Sequence, residues 1–248
     1  MTLQRLLIAY LLIVILVQTL FAAFPGIDVS VSALFANDHN GFDWTEGVFP
    51  TVNLVVRRVG EVLTFLLLVG LLYGLATGKA RGDDLRLMAY PLLCVALACG
   101  ALVNLVLKSH VGRARPDTLA EFGGTLHFSP PWQVVSECTR NCSFTSGESA
   151  MVASLAIPAV VILWPHLTRP RGRALAVLVA GVYVTFTSVL RIGLGRHFLS
   201  DTIYSVLFAA GVALALYPVL RIARARRHLP LLAPRRPALE LAEQRGVF

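Results

Sequence analysis

Three side chains in the last third of the chain have types and spacings suited to nucleophilic chemistry on an anionic group. His197 and Asp201 are four residues apart, so on a helix they would share a face and the carboxylate could hold the imidazole. Arg191 lies six residues before His197, roughly 240° away on a straight helix. Gly193 and Gly195 permit a turn that would bring the guanidinium back over the ring. An oriented imidazole beside a fixed cation is suited to attack phosphorus. Alternatively, the stretch is a juxtamembrane loop whose Arg side chains extend to lipid headgroups.

A second cationic stretch lies earlier in the chain. In it, Lys108 and Arg115 are seven residues apart and Pro116 follows directly. Seven residues correspond to two helical turns, so we expect both cations on one face. Pro116 disfavours helix at the residue before it. A guanidinium offers a planar fork to phosphate oxygens and an ammonium offers a point charge, which together indicate an anion site.

A third stretch, Thr145-Ser146-Gly147-Glu148, begins an apolar run. A Ser-Gly pair at a helix start presents backbone N–H groups and the positive end of the helix dipole to an anion. The spacing of Thr145 and Glu148 also fits a capping box, so a purely structural role for Glu148 remains an alternative.

The composition indicates an integral membrane protein. The 248 residues are 56% hydrophobic and 15% charged, with a mean hydropathy of +0.70. Each apolar run approaches or exceeds the length needed to cross a bilayer as a helix. We do not attribute the net charge of +8 to nucleic-acid binding, because the placement of Lys and Arg follows a membrane topology.

We predict an all-α bundle of six transmembrane helices over residues 1–220 and a disordered basic cytoplasmic tail over 221–248. The predicted spans are about 6–24, 52–77, 87–107, 148–165, 174–190 and 198–220. The first run could alternatively be a cleaved signal peptide. The acidic segment 25–50 is expected to be interfacial or re-entrant, with His39 in a surface role.

The distribution of Lys and Arg sets the orientation. Six spans put both termini and two connecting loops on one side, and most of the 22 Lys and Arg lie there, so that side is predicted to be cytoplasmic. The three stretches described above all emerge on the opposite face. Their convergence on one face favours a single functional anion site.

Several further residues have structural interpretations. Arg57, Arg58 and Glu61, in the first turns of the second span, are expected to pair locally, although contact with substrate headgroups is an alternative. Cys94 and Cys99 lie inside an apolar run and are expected to be inert. Cys138 and Cys142 could form a disulfide if their loop faces an oxidising compartment.

The three stretches in this order and at these spacings resemble the signature of the type 2 phosphatidic acid phosphatases (PAP2). The resemblance covers about residues 100–205, and the six-span layout extends it over most of the chain. Two positions depart from the family pattern. Glu148 stands where the family usually has His, and Leu190 stands where it usually has Ser before the arginine.

The resemblance implies a role for each motif residue. His197 would attack phosphorus to form a phosphohistidine, with Asp201 orienting the ring. The phosphoryl oxygens would be held by Lys108, Arg115, Arg191 and backbone N–H groups near Ser146 and Gly147. Glu148 occupies the place of the His that usually protonates the leaving oxygen. No metal or other cofactor is expected, since the cations would neutralise the phosphate and no carboxylate cluster could hold Mg²⁺.

The function implied is hydrolysis of a phosphate monoester on a membrane lipid. Candidate substrates are lipid A phosphate, phosphatidylglycerol phosphate and polyprenyl (di)phosphate, and the Ser-Gly-Glu variant with a nearby Cys pair favours lipid A. The expected location is a bacterial inner membrane with the site facing the periplasm. Alternatives are a lipid phosphotransferase that uses the same His and an inactive lipid-binding or transport protein. Nucleic acid is not an expected partner.

Overall fold

A computed structural model describes residues 2–37, 41–80 and 82–228. Within these residues, six helices are long and apolar enough to cross a membrane. They are α1 (Leu3–Ala23), α3 (Phe49–Thr77), α4 (Asp83–His110), α5 (Gly147–Leu163), α6 (Pro170–Gly193) and α7 (Leu199–Val219). The predicted all-α, six-helix membrane bundle is therefore confirmed.

The helices extend beyond the predicted spans at several ends. The predictions stop where the apolar run stops, whereas the backbone continues in polar turns that complete the helix. Thus α4 begins at Asp83 and α6 at Pro170, and α3 also begins early, at Phe49, with Pro50 in its first turn. The second half of α4, Val95–Leu107, is π-helical, with hydrogen bonds that span five residues instead of four.

The helix α5 lies at the centre of the bundle and packs against α4, α6 and α7. Small side chains such as Ala150, Ala153 and Ser154 are fully buried along it and allow this close packing. By contrast, α1, α3 and α6 carry rows of exposed Leu, Ile, Val and Phe side chains, which a bilayer would cover.

The helix α1 is part of the bundle. Tyr10 donates its hydroxyl hydrogen to the Leu207 carbonyl of α7 at 3.1 Å, and Phe21 is fully buried against Tyr204. At the other end, a short helix α8 (Ile222–Ala225) packs on α4. Ile222 and Ala225 are fully buried, so the bundle extends past residue 220, where the tail was predicted to begin. Residues 229–248 lie outside the described part of the chain.

The segment between α1 and α3 is folded onto the same end of the bundle as the three motif stretches. It contains the helix α2 (Ile27–Ala33) and a two-stranded antiparallel ribbon, β1 (Ala36–Asn37) with β2 (Gly41–Phe42). A 3₁₀ turn at Asp43–Thr45 follows. Asp28 and Phe42 are buried, so the segment packs on the bundle, and its interfacial or re-entrant position stays a prediction. The predicted surface role of His39 lies outside the described residues.

Candidate active site

The connection from α6 to α7 brings His197 next to Arg191. The helix α6 ends at Gly193, and Gly195 adopts φ +65°, which turns the chain back. The N–H groups of Arg196 and His197 both donate to the Arg191 carbonyl oxygen, at 3.0 and 3.3 Å. The predicted turn is therefore present. The predicted helical pairing is not, because α7 begins at Leu199, after His197.

The imidazole of His197 has two acceptors on its Nδ1 side. Nδ1 lies 2.8 Å from the Ser143 carbonyl oxygen and 3.6 Å from Asp201 Oδ2. Because a carbonyl can only accept, Nδ1 carries the proton and the lone pair of Nε2 is free. The shorter contact is with Ser143, a residue that the motif spacings did not single out.

His197 is neutral in the resting protein. The ring is 1% exposed, and this burial lowers the pKa of His197 to about 3. Asp201 opposes the shift, while the charges of Arg191 and Lys108 add to it. A neutral imidazole with a free Nε2 lone pair is the form that can act as a nucleophile.

Asp201 is held by three donors besides its contact with the imidazole. Its Oδ2 accepts from the Ser143 hydroxyl at 2.5 Å and from the Phe198 N–H at 2.9 Å, and the second of these bonds caps α7. Its Oδ1 accepts from Arg113 Nη1 at 2.6 Å. Each of these contacts fixes the carboxylate, and through it the position of the ring.

Arg113 is fully buried behind Asp201 and joins it to Asp28 of α2. Its Nη2 lies 2.8 Å from Asp28 Oδ2, its Nε donates to the Ser129 carbonyl at 2.8 Å, and its guanidinium lies 4.2 Å from the centroid of the Phe198 ring. Burial raises the pKa of Asp28 above its ordinary value, while the Arg113 charge opposes the shift.

Ser200 connects the two ends of this network. Its hydroxyl donates to Asp28 Oδ2 at 2.5 Å and accepts from Arg113 Nη1 at 2.9 Å, and its N–H donates to Asp28 Oδ1 at 2.8 Å. We call Asp28, Arg113, Ser143, Ser200 and Asp201 the buried network. The sequence predicted only Asp201 among them. Asp28 is one of several acidic residues in segment 25–50, and no spacing singled it out.

On its other side, His197 lines a cavity of about 500 Å³. Five cations line the same cavity: Lys108, Arg115, Arg191 and Arg196 at the end of the bundle that holds the motif stretches, and Arg57 of α3. The structure thus brings together the predicted Lys108, Arg115 and Arg191, and it adds Arg196, whose signal was its place between Arg191 and His197. The predicted helical face is wrong, because α4 ends at His110 and Arg115 has extended backbone.

The partners of these cations leave donors available. Arg115 donates from Nε and Nη2 to the Asn141 carbonyl at 3.2 and 2.8 Å, and Lys108 Nζ lies 3.5 Å from Asn141 Oδ1. Arg196 pairs with Asp117 at 3.0 Å. Burial, and then the Arg196 charge, lower the pKa of Arg115. The cluster therefore holds like charges close together, and an anion would relieve their repulsion.

Glu148 and Gly147, in the first turn of α5, face the cavity, whereas Ser146 lies behind it. The Ser146 hydroxyl caps α5 by accepting from the Ser149 N–H at 3.3 Å, and the Ser146 N–H is directed at the Asp201 carbonyl at 3.4 Å. The alternative of a capping box from Thr145 to Glu148 is not found, because the N-cap of α5 is Ser146. Glu148 is thus not engaged in capping.

The carboxylate of Glu148 is only partly paired. Oε1 lies 3.3 Å from Arg191 Nη1, while Oε2 is buried and has no hydrogen-bond partner among the described residues. The same holds for Nε of Arg191. A buried polar atom without a partner is costly, so both atoms are candidates for contact with a ligand.

The loop above the cavity is closed by a disulfide between Cys138 and Cys142, as the sequence suggested. It encloses Asn141, which contacts both Lys108 and Arg115. Cys94 and Cys99 are free and buried. Among the described residues, no group of three or more His, Cys, Asp or Glu is arranged to hold a metal ion.

The fold and the site together define a membrane-bound enzyme whose cavity is suited to an anionic group. The family model described as the PAP2 superfamily matches residues 89–224, more than half of the chain. The chain therefore belongs to the PAP2 superfamily, and the expectation of a membrane phosphatase of this family is confirmed.

Two relatives with the same recorded activity extend the similarity beyond the motifs. A lipid A 4'-phosphatase of Rhizobium leguminosarum is 31% identical over 217 residues, covering 78% of this chain and 89% of its own. A lipid A 4'-phosphatase of Francisella tularensis subsp. novicida is 26% identical over 190 residues, covering 76% and 83%.

A solved structure shares the fold. The PAP2-type phosphatidylglycerolphosphate phosphatase from Bacillus subtilis superposes with a TM-score of 0.51 over 86% of this chain and 93% of its own. Its sequence is 20% identical, so this similarity concerns the fold alone.

Proposed function

We propose that this protein is a lipid A phosphatase that hydrolyses a phosphate monoester through a phosphohistidine on His197. The observation that carries the proposal is the neutral, buried imidazole of His197, which keeps a free Nε2 lone pair and lines a cavity together with five cations. The similarity to two lipid A 4'-phosphatases supports the choice of substrate.

The first step is attack of His197 Nε2 on phosphorus. Lys108, Arg115 and Arg191 bind the phosphoryl oxygens, and the Gly147 end of α5 adds its positive dipole. The bond from phosphorus to the lipid oxygen breaks as the Nε2–P bond forms. The phosphorylated ring keeps its Nδ1 proton and becomes cationic, and the adjacent Asp201 carboxylate stabilises that charge.

Glu148 is the proposed proton donor to the leaving lipid oxygen. In the resting protein its Oε1 contacts Arg191, for which an incoming phosphate competes. The released carboxylate takes up the proton of the bound phosphate monoester monoanion and transfers it to the leaving oxygen. In the second step a water molecule gives a proton to Glu148 and attacks phosphorus, the Nε2–P bond breaks, and inorganic phosphate leaves.

The test is phosphate release from lipid A by purified protein in detergent without added metal. His197→Ala should abolish turnover while leaving expression and folding intact, and Asp201→Asn should cost less, because Asp201 orients the ring instead of attacking. Residual activity of His197→Ala within tenfold of wild type would remove His197 as the nucleophile.

The same assay separates the rival functions. A phosphotransferase would consume lipid A only when an acceptor lipid is added, whereas an inactive binding or transport protein would release no phosphate under either condition. Hydrolysis without an acceptor supports the phosphatase.

We also propose that the site lies at the outer face of a bacterial inner membrane, with both termini in the cytoplasm. Two observations support this placement. Most Lys and Arg lie on the side of the termini. The disulfide between Cys138 and Cys142 lies beside the cavity, as an oxidising compartment would allow. Labelling of single introduced cysteines by an impermeant reagent in intact cells would test it.

A further inference from the structure

The helix α3 contributes a line of polar side chains to the cavity, and the mechanism above does not use them. Asn53, Arg57 and Glu61 are spaced four residues apart, so they lie on one face of the helix, and all three line the cavity. We call them the polar stripe. It lies outside the matched family region, residues 89–224, and outside the three motif stretches.

The rotation of α3 that points the polar stripe at the cavity is fixed by two contacts. Tyr183 of α6 donates its hydroxyl hydrogen to the Val56 carbonyl at 3.3 Å. Gly60 lies so close to α5 that an added Cβ would come within 2.7 Å of Met151 Cε. Ionisable side chains in a membrane span are costly unless they are paired or line a polar cavity, and those of the stripe do both.

The stripe differs in charge from the opposite wall of the cavity. Glu61 accepts from Arg57 Nε at 2.7 Å, so the two charges on this wall compensate each other. Arg58 also pairs with Glu61, at 2.5 Å, but does not line the cavity. The predicted local pairing is therefore confirmed, and the alternative of headgroup contact stays open for Arg57 and Glu61.

Asn53 adds unused hydrogen-bonding capacity. Its Oδ1 is buried and has no hydrogen-bond partner among the described residues. The wall thus presents acceptors and donors without excess charge. Such a surface suits hydroxyl and amide groups better than a second anion, which the four cations opposite would bind more strongly.

The cavity is also larger than a phosphoryl group requires. Its volume of about 500 Å³ lies in the range of pockets that hold a whole small molecule. Arg57 is near enough to Glu148 and Arg191 for their charges to interact. A group bound on the stripe would therefore lie next to the phosphate.

We infer that the polar stripe binds the uncharged hydroxyl and amide groups of a saccharide headgroup beside the phosphate. The stripe would then select a phosphorylated glycolipid over a lipid phosphate without a sugar. This inference rests on the proposed function and names the residues that give the enzyme its substrate selectivity.

The experiment uses the full-length protein in detergent and two readouts. The kcat/KM for lipid A reports on phosphate and headgroup together, whereas the inhibition constant for inorganic phosphate reports on the cationic wall alone. Asn53→Leu and Arg57→Lys, which keeps the charge near Arg191, should each lower kcat/KM about tenfold through lost hydrogen bonds, without changing the inhibition constant. Arg58→Lys is the matched control, because Arg58 shares the partner Glu61 but lies outside the cavity. It should change neither readout.

Two results in the variants would overturn the inference. One is a parallel rise of the phosphate inhibition constant in Asn53→Leu and Arg57→Lys, which would assign the stripe to phosphate binding or to general integrity. The other is an unchanged kcat/KM for lipid A. A failure of the proposed function would appear in the wild type instead, as no release from lipid A or equal kcat/KM for phosphatidic acid, and either result would also overturn the inference.

Discussion

The two sides of the His197 ring are built in opposite ways, and two arginines only two residues apart show the difference. Behind the ring, Arg113 is fully buried, and its Nε, Nη1 and Nη2 all have partners, two of which are carboxylates. In front of the ring, Arg115 lines the cavity, and among the described residues its guanidinium donates to the Asn141 carbonyl oxygen alone.

The difference indicates what each side does. A buried ion pair with all its hydrogen bonds made gives a fixed geometry, and it has no capacity left for a ligand. Cations that are crowded and incompletely paired keep N–H donors that are available to an anion. We therefore assign the buried network to positioning and the cavity wall to binding.

The largest effect should come from breaking the buried network. Arg113→Met leaves the Asp28 and Asp201 carboxylates buried without a cation, which typically costs about 3–5 kcal/mol. Arg115→Met removes a side chain that faces the cavity, so stability should change by no more than about 0.5 kcal/mol. Thermal unfolding in detergent measures both.

For phosphate binding the ranking of the two variants should be the reverse, with the larger effect in Arg115→Met. Arg115→Met should raise the inhibition constant for inorganic phosphate roughly tenfold to a hundredfold, the worth of charged hydrogen bonds of about 1.5–3 kcal/mol. Equal losses of stability in Arg113→Met and Arg115→Met would contradict the division between the two sides.

The next largest effect concerns Glu148, the cavity carboxylate with one oxygen unpaired. If it is the general acid, Glu148→Gln should lower turnover of a lipid with an alkoxide leaving group by about 10²–10⁴-fold. A pyrophosphate substrate, whose leaving group needs less protonation, should be affected far less. The measurement is kcat/KM for both substrates, and equal, small losses would end the general-acid proposal. Glu148→His, which restores the usual family residue, is the companion variant.

The sequence could predict the binding side of the site better than the positioning side. Lys108, Arg115 and Arg191 are charged residues next to apolar spans, and charges that oppose the topology rule are visible without a structure. Asp28 meets Ser200 across 172 residues, through a contact that depends on how α2 folds onto α7. No local spacing encodes such a contact.

Local geometry also escaped prediction where tertiary contacts override helical spacing. The four-residue separation of His197 and Asp201 suggested one helix face, but the pairing is made across the start of α7, with the Ser143 carbonyl as the closer partner. Hydropathy alone was enough to predict that the six spans exist. It did not predict where each helix ends, because terminal turns outside the apolar run do not raise the hydropathy.

The protonation of His197 gives the third prediction. Its folded pKa of about 3 lies below the ordinary value near 6.5, so the unfolded state binds the proton more readily between these values. This group's contribution to stability is therefore fully present above pH 6.5 and is lost as the pH falls from there toward 3. At pH 5.5 a His of ordinary pKa would be about nine-tenths protonated, whereas we expect His197 to remain neutral.

Nuclear magnetic resonance of ¹³C-labelled histidine in detergent measures this directly. The His197 signal, assigned by its absence in His197→Gln, should not shift between pH 7 and pH 5. A midpoint near 6.5 would show that the buried network does not shield the ring from protonation.

The smallest effect should come from the disulfide, which reaches the binding side through Asn141. The bridge holds Asn141 at φ +53°, where its carbonyl and side chain contact Arg115 and Lys108. Closing so short a loop stabilises the fold by about 2 kcal/mol at most.

Replacing both bridged cysteines, Cys138→Ser with Cys142→Ser, should therefore leave a folded enzyme. Its phosphate inhibition constant and KM should rise by about the worth of one neutral hydrogen bond, up to roughly tenfold, while kcat changes little. Cys94→Ala, which removes a buried free thiol away from the cavity, is the control and should leave the phosphate inhibition constant unchanged.

Intact-mass measurement after alkylation of the unfolded wild type should show two fewer reactive thiols without reductant than with it. Labelling of all four cysteines without reductant would mean that the bridge is absent, and the loop would then hold Asn141 without it.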